Sequence, residues 1–176
     1  AALDCDWQSR RLELGTLPAD EAAADAVWKK LKLPAGDQVV VLNSGGAFGA
    51  AKLWPSEHFA DLARRLAGRD NLAVLVNCGP SEREVAREIV RQANHPQVVS
   101  LADEDVPIGL SKACIRRSRL LVTTDSGPRF FGVAFGVPTV SLFGPMHIAW
   151  SRTHWEGEIA LAHEVPCGPC MQRKCP

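Results

Sequence analysis

The sequence predicts an α/β fold, a parallel sheet with helices on both faces. Three observations predict it. Short runs such as Val39–Leu42 are apolar without alternation, as strands buried on both faces require. Segments with apolar residues three and four apart stand between those runs. Glycine- or proline-bearing loops separate the two kinds of segment at short intervals. Strands alternating with helices in this way form βαβ units with right-handed crossovers. Ligands in such sheets bind beyond the carboxyl ends of the strands, so chemistry is expected just after each strand.

The elements follow in order. Asp20 is expected to cap a first helix, with Val27, Trp28 and Leu31 as its apolar stripe and Pro34–Gly36 as its end. Val39–Leu42 is the first strand. Pro55 opens a helix whose core face is Phe59, Leu62, Ala63 and Leu66, and Gly68 is expected to stop it. Leu72–Val76 is a strand. Ser81 and Glu84 have capping-box spacing for the next helix, which turns Val85, Ala86, Ile89 and Val90 inward. Val98–Leu101 is a strand, Pro107–Cys114 a short helix and Leu120–Thr123 a strand. Gly127–Phe135 is a helix, Thr139–Phe143 a strand, and Glu158–Ala162 one further strand.

Size and charge narrow the function. The 176 residues make one domain, 46% hydrophobic and 23% charged, which excludes disorder. Twenty Lys and Arg balance twenty Asp and Glu. A chain that wraps phosphate backbones is normally basic, so no nucleic-acid partner is expected. The longest apolar stretch, Phe130–Pro145, is short and broken by Gly and Pro, and reads as helix, turn and strand. The start has neither a signal peptide nor an initiator Met, and reads as the edge of a fragment. Of six cysteines, Cys5, Cys78 and Cys114 are scattered and Cys167, Cys170 and Cys175 crowd the end. That is no disulfide framework, and a cytoplasmic location with reduced thiols fits it.

Four loops and the tail can carry chemistry. Asn43–Trp54 holds Ser44, Gly45, Gly46 and Gly49, then Lys52 just before a helix. Glycines allow close backbone approach, and a lysine beside a helix start suits a diphosphate. The loop is not a Walker motif and lacks G-x-G-x-x-G, and a solvated lysine on a flexible loop is the plainer alternative. In Thr123–Pro128, Asp125 or Ser126 can cap the following helix while Ser126, Gly127 and neighbouring amides face phosphate oxygens. Asp125 is expected to brace the turn or orient sugar hydroxyls, because a bare carboxylate repels phosphate. Arg129 either forks onto phosphate or sits on the surface. In Asn77–Glu84, Glu82 or Glu84 could hold ribose hydroxyls, with a capping role the alternative for Glu84. The Gly144–Pro145 turn would border the same crevice. The tail, C-G-P-C-x-x-x-x-C, reads as free thiols, as part of a zinc site with Cys167, Cys170, Cys175 and His163, or as a redox pair.

These pieces in this order resemble the donor-binding half of glycosyltransferase family 9, the ADP-heptose:lipopolysaccharide heptosyltransferases. The matching stretches are LNSGGAFGAAKLWPSEHFADLARRL, CGPSEREVAREI, LLVTTDSGPRFFGVAFGVPTVSLFGP and CGPCMQRKC, within Leu14 to the end. A-K-x-W-P and D-S-G-P followed by G-V-P-T-V-x-L-F-G-P are the most specific. The resemblance implies a Rossmann-like domain, one half of a GT-B fold, over residues 37–176, with residues 1–36 as interdomain connection and leading helix. It implies an inverting transfer of heptose from an ADP-sugar to the lipopolysaccharide core, with no metal or other cofactor required. Lys52 would neutralise the donor diphosphate, Ser126, Gly127 and Pro128 would form the phosphate-facing turn, and Asp125 would brace it. Glu82 or Glu84 would hold the adenosine ribose. The acceptor domain and its general base are expected outside this chain, so the fragment should bind without turning over. Its parent is expected in the cytoplasm, at the inner face of the membrane. Many members follow D-S-G-P with Met-His, whereas Arg129 and Phe130 stand here. Two alternatives remain at this point. One is a GT-B enzyme using another nucleotide sugar, and the other a non-catalytic nucleotide-binding module with a metal-stabilised tail.

Overall fold

The computed structural model describes residues 9–46 and 48–175. Cys5, the first residues of the expected interdomain connection and Ala47 of the glycine-rich loop lie outside them. Six parallel strands form one sheet in the order β3-β2-β1-β4-β5-β6. They are β1 (Val39–Asn43), β2 (Ala73–Asn77), β3 (Val98–Ser100), β4 (Leu120–Thr124), β5 (Thr139–Phe143) and β6 (Glu158–Ala162). β1 and β2 are buried along their whole length, which is why they read as unbroken apolar runs. The helices are α1 (Pro18–Lys30), α2 (Ser56–Asp70), α3 (Arg83–Ala93), α4 (Ile108–Arg116) and α5 (Gly127–Phe135). α2 packs with α3, while α4 packs with both α1 and α5, so helices cover both faces. The strand order reverses between β1 and β4, and this switch point is where an open α/β sheet leaves a crevice.

Two helix ends and one helix face differ from the sequence expectation. Asp20 is not the cap of α1 but lies inside its first turn. Its carboxylate accepts from the Leu17 N–H at 2.9 Å, and Leu17 stands at the cap position. Gly68 does not stop α2. The helix runs to Asp70 and ends where Asn71 turns left-handed at φ 52°. A glycine inside a helix costs only about 1 kcal/mol, which neighbouring packing offsets. Asn tolerates the left-handed turn and supplies the stop. In α3, Val85 faces solvent, while Ala86, Ile89 and Ala93 are buried.

The core lies between sheet and helices. Val39–Leu42, Val74–Val76, Leu121, Phe59, Ile89 and Ile115 are its main members. No helix among the described residues is long and apolar enough to cross a membrane.

Candidate functional site

The site begins with polar residues at the carboxyl ends of the three central strands. Parallel register sets Asn43 beside Asn77 on one side and Thr123 on the other. The Asn77 amide donates to Asn43 Oδ1 at 2.9 Å. The Asn43 amide in turn donates to Thr123 Oγ1 at 3.3 Å and Ser126 Oγ at 3.2 Å. Ser111 on α4 donates to Asn77 Oδ1 at 3.0 Å. All but Ser126 are buried, so a polar ladder runs under the crevice from α4 to the start of α5. The Thr124 hydroxyl donates to the Gly45 carbonyl at 2.5 Å and ties the glycine-rich loop to β4.

Above this ladder lies a cleft of about 430 Å³, walled in part by Gly45, Gly79, Glu82, Ile108, Ser126 and Phe131. The first turn of α5, Gly127 and Pro128, closes one side. Ser126 stands at the cap in extended backbone with no side-chain bond to the helix. Pro128 has no N–H and the Arg129 N–H donates to the Ser126 carbonyl at 3.2 Å, so the Gly127 N–H is the first-turn donor left for a ligand. Ser44 Oγ is buried and has no hydrogen-bond partner among the described residues.

Lys52 and Asp125 stand next to the cleft and do not wall it. Lys52 lies at the end of a short turn, Ala50–Lys52. Its ammonium is 2.7 Å from Asp125 Oδ2 and donates to the Asp125 carbonyl at 2.8 Å. The solvated-lysine alternative therefore fails, since the side chain is only 13% exposed. Phe48 lies between two cations, with Lys52 at 5.3 Å and Arg173 at 5.4 Å from its ring centre.

Glu82, not Glu84, takes the capping role the sequence offered to Glu84, and it borders the cleft as well. Glu82 makes the carboxylate half of a capping box, accepting from the Gly79 N–H at 2.5 Å while glycine has no side chain to complete it, because a short turn at Pro80–Glu82 precedes α3. Its carboxylate also lies against Gly45, where a methyl group would collide with it. Glu84 is exposed and pairs with Arg87 on the outside of α3. Of the two, Glu82 alone borders the cleft.

Arg129 is neither a phosphate fork nor a surface residue. It is 1% exposed, the largest fully buried side chain among the described residues. Nε lies 2.5 Å from Glu158 Oε1 and Nη2 donates to Glu158 Oε2 at 3.1 Å. Nη1 contacts Asp125 Oδ1 at 3.3 Å and donates to Ser151 Oγ at 2.9 Å. Phe143 and Phe130 flank the guanidinium at 4.9 and 5.1 Å. With every nitrogen engaged, none is left for a donor phosphate. Burial alone would raise the Glu158 carboxyl, but hydrogen bonds from Arg129, Ser141 and Thr153 outweigh it and hold it below the usual range.

The tail braces the loop and does not gather as a metal site. Cys167 and Cys175 are exposed and Cys170 half-buried. No three His, Cys, Asp or Glu residues among the described ones come together as metal ligands, His163 included. Instead the Ala51 N–H donates to the Arg173 carbonyl at 3.1 Å, and the Met171 N–H to the Pro145 carbonyl at 2.9 Å. Gly49, at φ 150°, leaves room for the Arg173 carbonyl. The Gly144–Pro145 turn does not border the main cleft. Gly144 lines a separate one of about 400 Å³ with His147, His163 and Glu164, at the ends of β5 and β6.

The model of glycosyltransferase family 9 (heptosyltransferase) matches residues 2–176. The chain belongs to glycosyltransferase family 9. A relative among curated proteins, lipooligosaccharide heptosyltransferase 2 of Campylobacter jejuni, is 31% identical over 145 residues. That match takes in 80% of this chain and 44% of the relative. Lipopolysaccharide heptosyltransferase 1 of Pseudomonas aeruginosa is 28% identical, over 81% of this chain and 38% of its own. The chain thus spans less than half the length of these relatives. The crystal structure of a family 9 glycosyl transferase from Veillonella parvula superposes with a TM-score of 0.79 at 27% identity, covering 90% of this chain and 44% of that one. This family 9 domain carries its candidate site at the crevice where the sheet's strand order reverses.

Sequence reasoning missed the polar ladder and the partner of Arg129. The ladder had a signal: both VVVLN and AVLVN end an apolar run on Asn, and parallel strands in register set those ends side by side. Glu158 had none, being 29 residues from Arg129.

Proposed function

We propose that this chain binds the ADP-sugar donor of an inverting heptosyl transfer whose acceptor is the lipopolysaccharide core. The observation that carries the reading is Lys52, held beside the open first turn of α5 at the switch point of a family 9 domain. The diphosphate would lie across that turn, taking hydrogen bonds from the Ser126 hydroxyl and the Gly127 N–H on the cleft wall. Glu82 would accept from the ribose hydroxyls, and the apolar wall of Ile108 and Phe131 would cover the base. An E. coli heptosyltransferase of similar fold, 20% identical at a TM-score of 0.61, was solved with ADP-2-deoxy-2-fluoro heptose, a ligand of the class proposed.

In an in-line displacement the departing ADP gains negative charge. Lys52 and the Gly127 N–H would stabilise that charge, the role a metal ion would otherwise fill. A base facing the cleft from outside this chain would take the acceptor's proton. Such transfer belongs at the cytoplasmic face of the inner membrane, where the acceptor is held.

Calorimetric titration with ADP tests the reading, with UDP and GDP as competitors. Lys52→Ala should weaken ADP binding by roughly 10- to 150-fold, the equivalent of a charge-assisted hydrogen bond of ~1.5–3 kcal/mol. Equal affinity for UDP would overturn the adenine assignment, and an unchanged Lys52→Ala affinity would overturn the diphosphate site.

A further inference from the structure

The inference rests on the donor reading above and concerns a residue outside the cleft. Lys52, Asp125, Arg129 and Glu158 form an unbroken chain of alternating charge. Lys52 Nζ is 2.7 Å from Asp125 Oδ2, Arg129 Nη1 is 3.3 Å from Asp125 Oδ1, and Arg129 Nε is 2.5 Å from Glu158 Oε1. All four side chains are buried or nearly so. The chain crosses from the glycine-rich loop through α5 to β6, where Ser141 and Thr153 also donate to Glu158.

Lys52 in this state spends its charge on Asp125. Two of its three N–H donors go to the Asp125 carboxylate and carbonyl, and a diphosphate that draws the ammonium wholly onto itself turns it from that carboxylate. Asp125, at 8% side-chain exposure, would then be a buried anion without a counter-charge, were Lys52 its one partner. Arg129 is the second partner. It is fixed by both oxygens of Glu158 and by Ser151, so it cannot follow Lys52 toward the ligand. The cations paired with Asp125 are therefore Lys52 from the loop and Arg129, locked on α5.

We infer that Arg129, locked by Glu158, is a positioning residue that holds Asp125 in place and paired when Lys52 leaves it for the donor diphosphate. The buried arginine thus does at a distance what a phosphate-gripping residue would do by contact. It keeps the lysine's release from costing a stranded carboxylate. Glu158, on the edge strand β6, is thereby coupled to donor affinity although it never reaches the donor.

A mutant cycle read by ADP calorimetry on this chain tests the inference. Arg129→Met alone would strand Glu158, so it is paired with Glu158→Gln, which keeps the acceptor for Ser141 and Thr153. The double change should weaken ADP binding at least tenfold, because Lys52 becomes Asp125's sole partner. Arg129→Lys keeps a cation at Asp125 and should stay within about threefold of the unaltered chain. With Asp125→Asn as background there is no carboxylate to hold, and the same double change should move ADP affinity less than twofold. A merely structural role would weaken binding in both backgrounds, and that result overturns the inference. So does a double change without effect while Lys52→Ala still weakens binding. Should the unaltered chain bind no ADP, the donor reading falls and this inference falls with it. Urea unfolding of each variant, with a cooperative transition as the criterion, shows that the affinities are those of folded protein.

Discussion

Asn43→Leu should cost more than any comparable change on the rim of the cleft. Asn43 is 3% exposed and sits in the middle of the polar ladder. Leucine has nearly its shape and fills the space, so no cavity adds to the cost. Not every lost hydrogen bond counts equally. Thr123 and Ser126 both retain a bond to the Thr124 carbonyl, at 2.9 and 3.3 Å. Each forfeits only one long contact with the Asn43 amide. The Asn77 amide is worse placed, since Asn43 Oδ1 is its hydrogen-bond acceptor at 2.9 Å. A buried donor left so costs about 1–3 kcal/mol, and a net bond lost about 1 kcal/mol. Allowing for the apolar burial that leucine brings, the net is about 2–3 kcal/mol. With a urea slope of about 2 kcal/mol/M, the unfolding midpoint should fall by roughly 1–1.5 M. Changing both partners, Asn43→Leu with Asn77→Leu, should recover part of that loss, because the orphaned amide disappears with its acceptor. A single-variant shift under about 0.3 M would refute the ladder as a source of stability. A double variant at the sum of the two singles would refute the coupling between them.

Two further outcomes follow from the titrating groups. Burial pushes the Cys78 thiol up to about 11 and Cys114 to about 12, so neither should react with iodoacetamide at pH 8 in the folded chain. Exposed Cys167 and Cys175 should be alkylated within minutes, and peptide mass spectrometry that finds Cys114 modified first would contradict the packing. Glu158 is held below its unfolded value, so its contribution to stability is complete above the ordinary carboxylate value of ~4.3 and is lost as pH falls through its lower folded value. The urea-midpoint gap between the unaltered chain and Glu158→Gln should therefore be wide at pH 7 and shrink below pH 4. A gap that widens with acid would show the sign to be wrong.

Much of the sheet was legible because its strands are short, apolar and punctuated. Burial on both faces leaves Val39–Leu42 no other pattern to show, and Thr139–Phe143 and Glu158–Ala162 lie where the pattern sets them. Helix ends were less legible because more than one residue can satisfy the same geometry. Gly79 and Glu82 have the same three-residue spacing as Ser81 and Glu84, and the short turn before α3 selects the earlier pair. That selection decides which glutamate reaches the cleft, so a two-residue ambiguity in a cap becomes an ambiguity in a binding site.

Arg129 shows the other limit. Following D-S-G-P, an arginine invites a phosphate, and its local sequence gives no reason to look elsewhere. What turns it inward is the pairing of β5 with β6, which sets Ser141 and Glu158 together under α5. A buried arginine needs a buried carboxylate, and Glu158 is its bidentate match. Position in the motif told where the backbone of residue 129 would stand. Only the sheet's far edge told where its charge would go, and on that edge the proposed release of Lys52 depends.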